Sequence, residues 1–204
     1  MKTAQSSDDQ TKITESENSR KAKRWFFSTL VLLTVLLIGT AAMVIFVDPY
    51  FHYHKPLSFL SYRIYEERYV NDGISRHFTY DAVITGTSMA QNFKTSELDE
   101  LFGTHSVKEP FSGADFRELS ENLNRTLQYG QEVKMVVMPL DYNALLQAAD
   151  WQKYEEYPTY LYDNNIFNDA RYVWNKAIFY HGVVADLLRT VSGEPSTTMD
   201  EYSS

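Results

Sequence analysis

Tyr80-Asp81-Ala82-Val83-Ile84-Thr85-Gly86-Thr87-Ser88-Met89 is the stretch that decides the fold class of this 204-residue chain. Its first six residues form a β-rich run of buried-strand length, and Gly86 lets the backbone turn sharply out of it. Downstream, Thr95 or Ser96 can cap a helix carrying Leu98, Leu101 and Phe102, which Gly103 stops. Residues 106–111 read as a second, weaker strand. Ser112-Gly113-Ala114-Asp115 reads as a capping box with Asp in place of the usual Glu or Gln. Phe116, Leu119, Leu123 and Leu127 follow at helical spacing until Gly130. Residues 134–140, centred on Met135-Val136-Val137-Met138, read as the third and most hydrophobic strand. A polar, tyrosine-rich loop over residues 151–168 and a last helix over 169–189, interrupted at Gly182, complete the pattern. Short strand–helix–strand spacings predict an α/β fold: a parallel sheet of about three strands flanked by helices.

Upstream, residues 25–47 run for 23 positions without a charge. About 20 apolar residues span the hydrocarbon core as a helix, so the run predicts one transmembrane segment. A core helix of a soluble protein would show a polar face, and this run has none. A cleaved signal peptide is the rival, but its apolar region is usually ~7–15 residues and Thr40-Ala41-Ala42 is a poor cleavage site. Arg20, Lys21, Lys23 and Arg24 precede the run and Asp48 closes it, which places the N-terminus in the cytoplasm and the remainder outside the cell membrane. Residues 1–24 read as a disordered tail, 48–191 as the extracytoplasmic domain, and 192–204 as a polar linker running on into further sequence, the chain being the N-terminal portion of a longer protein. Tyr50-Phe51-His52-Tyr53-His54 reads as an aromatic interfacial belt.

Charge and composition exclude several classes. Formal net charge is −8, and setting aside the six basic and four acidic residues before Trp25 leaves −10 outside, so nucleic acid is not an expected partner. There is no cysteine, hence no disulfide, thiolate metal site or cysteine nucleophile. No cofactor and no metal site are expected. His52 and His54 lack a third ligand of suitable spacing. The Asp163, Asn164, Asn165, Asn168 and Asp169 cluster lacks the spacing and glycine of a calcium loop, which leaves turn and cap duty.

Reactive groups on parallel sheets collect at the carboxyl ends of the strands. After the first strand stands Ser88, whose hydroxyl could act as a nucleophile with its own amide near a helix N-terminus; a turn or N-cap role fits the same position. After the second, the Gly113 amide could be an oxyanion donor, or the glycine could serve close packing. After the third, Asn143 offers a side-chain amide or a turn residue. Tyr154, Tyr157, Tyr160, Tyr162 and Trp151 could stack on sugars or pack against the domain.

A serine after strand one, a glycine after strand two and a polar residue after strand three resemble the SGNH (GDSL-type) hydrolase superfamily. Residues 48–56 (DPYFHYHKP), 67–73 (ERYVNDG), 86–89 with Asn92-Phe93, 110–113 (PFSG) and 157–163 (YPTYLYD) resemble single-anchor SGNH-like proteins of Gram-positive bacteria. The resemblance implies a partial flavodoxin-like fold. It also implies a relationship to serine ester hydrolases or acyltransferases acting on cell-envelope polymers, and cell-wall polysaccharide or a membrane acyltransferase as partner. It implies Ser88 as nucleophile, with Gly113 and, in a different local sequence, Asn143 at the oxyanion. The superfamily draws its general base from an Asp-x-x-His, and none of the five histidines has an acid three residues before it. This chain is therefore expected to be inactive by itself, with a non-catalytic envelope binding or accessory role as the alternative.

Overall fold

The computed structural model describes residues 2–130, 132–142, 146, 158–163 and 165–202. They fall into two compact units, residues 1–42 and 43–204. A single helix, α1 (Lys2–Val47), supplies all that is described of the first unit and the opening turn of the second. Its Asn18–Val47 portion is long and apolar enough to cross a membrane, with mean hydropathy 2.8 in its most apolar window, and Leu32, Val35 and Leu36 stand exposed. The helix begins at Lys2, so residues expected as a disordered tail continue it instead. Ala, Lys, Gln and Glu are good helix formers, and an existing helix spares them the cost of nucleation.

In the second unit, α2 (Glu67–His77), β1 (Ala82–Gly86), α3 (Thr95–Phe102), β2 (Ser106–Pro110), α4 (Phe116–Tyr129) and β3 (Met135–Val137) follow in order. The three strands are parallel in the order β2-β1-β3, with Ala82 opposite both Ser106 and Met135 and Gly86 opposite Pro110. An α/β architecture with a three-stranded parallel sheet is thus present as expected.

Strand β2 shows how the layers are made. Successive side chains of a strand point to opposite faces, and both Lys108 and Glu109 are fully buried. Lys108 Nζ donates to the carbonyls of Gln91 (3.0 Å), Phe93 (3.3 Å) and Asp200 (3.1 Å), which puts the turn leading into α3 and the C-terminal segment on its face. Glu109 accepts from Ser75 Oγ (2.8 Å), Thr126 Oγ1 (2.6 Å) and Asn122 Nδ2 (2.7 Å), which puts α2 and α4 on the other. Burial pushes the Glu109 pKa up to about 7 against the pull of those three donors. On β1, Val83 and Ile84 are buried, each contributing ~1.5–3 kcal/mol through the area it removes from water.

Helix α2 was not legible as an element, because Asn71-Asp72-Gly73 resembles a turn. Its glycine is required by approach: a Cβ there would overlap the carbonyl oxygens of Tyr50 and Phe51. Those two aromatics are buried rather than spread along an interface. Asp48, at φ 48°, holds this crossing in place by accepting the amides of His52 (3.0 Å), Tyr53 (2.7 Å) and His54 (3.0 Å) and the Tyr172 hydroxyl (2.8 Å).

The last expected helix is broken. A short α5 (Ala170–Val173) ends at Trp174, and the chain resumes in a π-helical stretch, Ile178–Val184, that passes into α6 (Ala185–Val191). A Cβ on Gly182 would overlap the Pro49 ring, so the wide π-turn and the missing side chain both serve that contact. Beyond α6, the polar stretch expected as a linker folds back. Thr197 N bonds Tyr62 O at 2.9 Å, and Asp200 accepts Thr95 Oγ1 (2.8 Å) and Ser96 N (3.0 Å), capping α3 from outside. Tyr202 is fully buried and donates to Asn71 Oδ1 at 2.6 Å.

Candidate functional site

The carboxyl ends of β1 and β2 lie side by side, tied by the Phe111 amide donating to Gly86 O at 2.8 Å. Gly86 leaves the strand at φ 149°, where a Cβ would press on Ala90 and the Pro139 ring at 3.3 Å. Thr87 is buried, caps the following turn by accepting from Met89 N, and donates to Asp141 Oδ2 at 2.6 Å. That last bond joins the loop after β1 to the loop after β3. Ser88 then opens a 3-10 turn, Ser88–Asn92. It is exposed, and among the described residues its hydroxyl has no hydrogen-bond partner.

The second turn is built differently. Ser112 is locked by Glu67 at the start of α2: the Ser112 amide donates to Glu67 Oε2 and its hydroxyl to Oε1 (3.1 Å). Gln91, from the Ser88 turn, donates to both Ser112 Oγ (2.6 Å) and Glu67 Oε1. Arg68 adds a bond to Ser112 O (3.1 Å) and an ion pair with Glu118 at 2.9 Å. Gly113 follows at φ 63°, in a turn closed by Ala114 N to Phe111 O at 3.0 Å. It lies two residues before the true cap of α4, Asp115, which accepts from Glu118 N at 2.7 Å. The expected box beginning at Ser112 is therefore displaced: Asp115 caps, and Ser112 is used by Glu67. Asn143 lies outside the described residues, as do residues 151–157 and Asn164 of the tyrosine-rich loop expected over 151–168.

Beside this hub is a cavity of about 800 Å³ lined by Gln91 and Ser112, by Glu66, Glu67 and Tyr69 of α2 and its entry, and by Thr197 of the returning tail. Among the described residues, Ser88 does not line it. Glu67 and the tail are the parts of this region that sequence reasoning missed. Glu67 looks like any first-turn acid of a helix, and no local pattern shows that a linker-like tail comes back.

No histidine reaches Ser88 among the described residues. His105 precedes β2 at the amino end of the sheet, where its carbonyl accepts from Asp81 N at 2.9 Å. His77, its pKa lowered by burial, lines a separate cavity with His105, Asp81 and Lys134. His54 uses both ring nitrogens on carbonyls, Lys55 O at 2.8 Å and Ile45 O at 3.1 Å. His52 is buried with Nε2 3.2 Å from Asp169. Asp163 instead closes its own loop, accepting Asn165 N (2.8 Å) and Asn168 Nδ2 (2.6 Å).

No family model, no curated protein and no solved structure matches this chain.

Proposed function

We propose that this chain is a membrane-anchored SGNH-like protein with a cytoplasmic N-terminus and an extracytoplasmic domain, related to serine ester hydrolases or acyltransferases of cell-envelope polymers. The observation that carries the reading is the placement of Ser88: an exposed hydroxyl, without a partner among the described residues, at the carboxyl end of the central parallel strand and at the first position of a 3-10 turn. In the reaction, Ser88 Oγ bonds to the acyl carbon of an ester, its proton leaves, and the Ser88 and Gly113 amides face the oxyanion of the tetrahedral intermediate. Collapse expels the alcohol, and water or an acceptor hydroxyl then releases the acyl group.

A general base typically contributes ~10²–10⁴-fold to such a step. With no imidazole on Ser88 among the described residues, proton removal falls to solvent, so a chain expected to be inactive on ordinary esters is expected to show no more than a slow residual turnover of an activated one. The experiment is hydrolysis of an activated aryl ester by the purified full chain and by Ser88→Ala. Slow turnover that disappears in Ser88→Ala supports the reading; turnover unaffected by the substitution refutes it. The position of the 800 Å³ cavity at Ser112 rather than Ser88 favours a second reading, a non-catalytic envelope protein binding its ligand beside Glu67. That reading expects no Ser88-dependent turnover and ligand binding insensitive to Ser88→Ala.

A further inference from the structure

A second cavity, of about 460 Å³, is bounded by the entry to α2 and the π-helical stretch, with Tyr50, Arg63, Tyr65, Glu66, Tyr69 and His181 in its wall. Its two opposite charges do not serve each other. Arg63 and Glu66 are both exposed, and among the described residues neither joins an ion pair. Glu66 stands at the N-cap of α2 yet makes no side-chain cap bond. Asp186 takes the Arg63 amide at 2.9 Å rather than its guanidinium, which lies 4.8 Å over the Tyr65 ring. Much of the remaining wall is aromatic: the buried Tyr50 has its ring 6.2 Å from that of Tyr65 and 5.2 Å from that of Tyr69. Tyr65 donates to His181 O (3.1 Å) and its oxygen accepts from Tyr50 (3.2 Å). Burial raises the pKa of both hydroxyls, and the Glu66 carboxylate adds to the rise at each, which puts Glu66 within electrostatic reach of the pair.

We infer that this cavity binds a zwitterion of the phosphocholine type, its quaternary ammonium against Glu66 and the Tyr50 and Tyr69 rings and its phosphate on Arg63. A ligand of one charge would satisfy one of the two side chains and meet its own sign at the other; a zwitterion satisfies both. Guanidinium grips phosphate through parallel N–H donors. A cation is attracted to the faces of tyrosine rings, and Arg63 already uses Tyr65 in this way, which leaves Tyr50 and Tyr69 for the ligand. A primary ammonium has three N–H donors to place, whereas a methylated one has none and suits rings beside one carboxylate. Arg63, Tyr65, Glu66 and Tyr69 also line the 800 Å³ cavity, so there is room for whatever the phosphate is attached to. The site is independent of Ser88 and of the ester chemistry proposed there.

The test is calorimetric titration of the full chain, in a maltoside detergent that carries no choline, with phosphocholine, choline, phosphoethanolamine and inorganic phosphate. Phosphocholine is expected to saturate, with each of the other three several-fold weaker. Arg63→Ala should bring phosphocholine down to the affinity of choline, and Glu66→Gln should weaken phosphocholine and choline alike. Both positions are exposed, so these variants should keep the thermal midpoint of the unsubstituted chain. Tyr69→Phe, which keeps the ring, should bind as the unsubstituted chain does, and Tyr69→Leu more weakly. Ser88→Ala should bind unchanged, so a failure of Ser88-dependent turnover leaves the site standing. Repeating the titration in micelles doped with phosphatidylcholine or phosphatidylglycerol separates the sources. Loss of free phosphocholine binding with the choline lipid alone assigns a lipid headgroup; retention assigns a phosphocholine carried in solution or on a polymer, and either supports the site. No saturation by phosphocholine, equal binding of phosphoethanolamine or phosphate, or unchanged binding by both Arg63→Ala and Glu66→Gln overturns it.

Discussion

Ser88 and Ser112 occupy equivalent places, each two residues beyond the end of a parallel strand, and the structure treats them in opposite ways. Ser112 gives its hydroxyl to Glu67, accepts from Gln91 and has its amide and carbonyl engaged by Glu67 and Arg68. Ser88 keeps its hydroxyl unengaged among the described residues and faces solvent. A hydroxyl committed to a buried carboxylate is part of the scaffold. A hydroxyl left without a partner on a turn that its neighbours hold rigid is available to a ligand. The rigidity has a visible source: Gln91 ties the Ser88 turn to the Ser112 turn, and Thr87 ties it to Asp141.

The sharpest break of this comparison is at Glu67. Replacing it with Leu leaves the Ser112 amide and the Gln91 side chain without their acceptor. Lost bonds to a charged group cost ~1.5–3 kcal/mol each in net terms, so urea unfolding of Glu67→Leu should show a loss of about 3 kcal/mol. An unchanged midpoint would mean that the hub does not support the two turns.

Next in size is the pH dependence set by Glu109 below the same strand end. Its folded pKa of about 7 exceeds the ordinary 4.5, so the folded state holds the proton more tightly. The stability it contributes is complete below about pH 4.5 and is lost as pH rises through 7, a span of ~3 kcal/mol by linkage. Asp186, also raised to about 7 by burial, adds a change of the same sign. Glu109→Gln should remove its share of the slope in unfolding free energy between pH 5 and 8. A slope identical to the unsubstituted chain would contradict the burial of Glu109 as the cause.

Smaller still is Ser112→Ala, expected to cost about 1–2 kcal/mol because Glu67 and Gln91 each lose a partner, with Ser88-dependent ester turnover retained. Smallest is Ser88→Ala, expected within ~0.5 kcal/mol of the unsubstituted chain in thermal unfolding, as suits an exposed position whose hydroxyl has no partner among the described residues. A larger cost would show that Ser88 is structural after all.

The same contrast explains what could be read in advance. β1 was legible because Ala82-Val83-Ile84 is apolar on both sides and bounded by Gly86. β2 read as weak because Lys108 and Glu109 are charged. Each is buried against carbonyls or hydroxyls brought from elements far along the chain, which local periodicity does not contain. Ser88 could be picked out from its place after a strand. The locking of Ser112 could not, since Glu67 is 45 residues away. Asp200 capping α3 across more than a hundred residues is the extreme case, and a polar, Gly- and Pro-bearing tail gives no local sign of it.

The most direct measurement is trapping with a fluorophosphonate at high concentration, followed by peptide mass spectrometry of the full chain, Ser88→Ala and Ser112→Ala. The account predicts a phosphonyl adduct on the peptide containing Ser88, present in Ser112→Ala and absent in Ser88→Ala. An adduct on Ser112, or no adduct on Ser88 while other exposed serines react equally, would contradict the claim that the unengaged hydroxyl at the end of β1 is the reactive one.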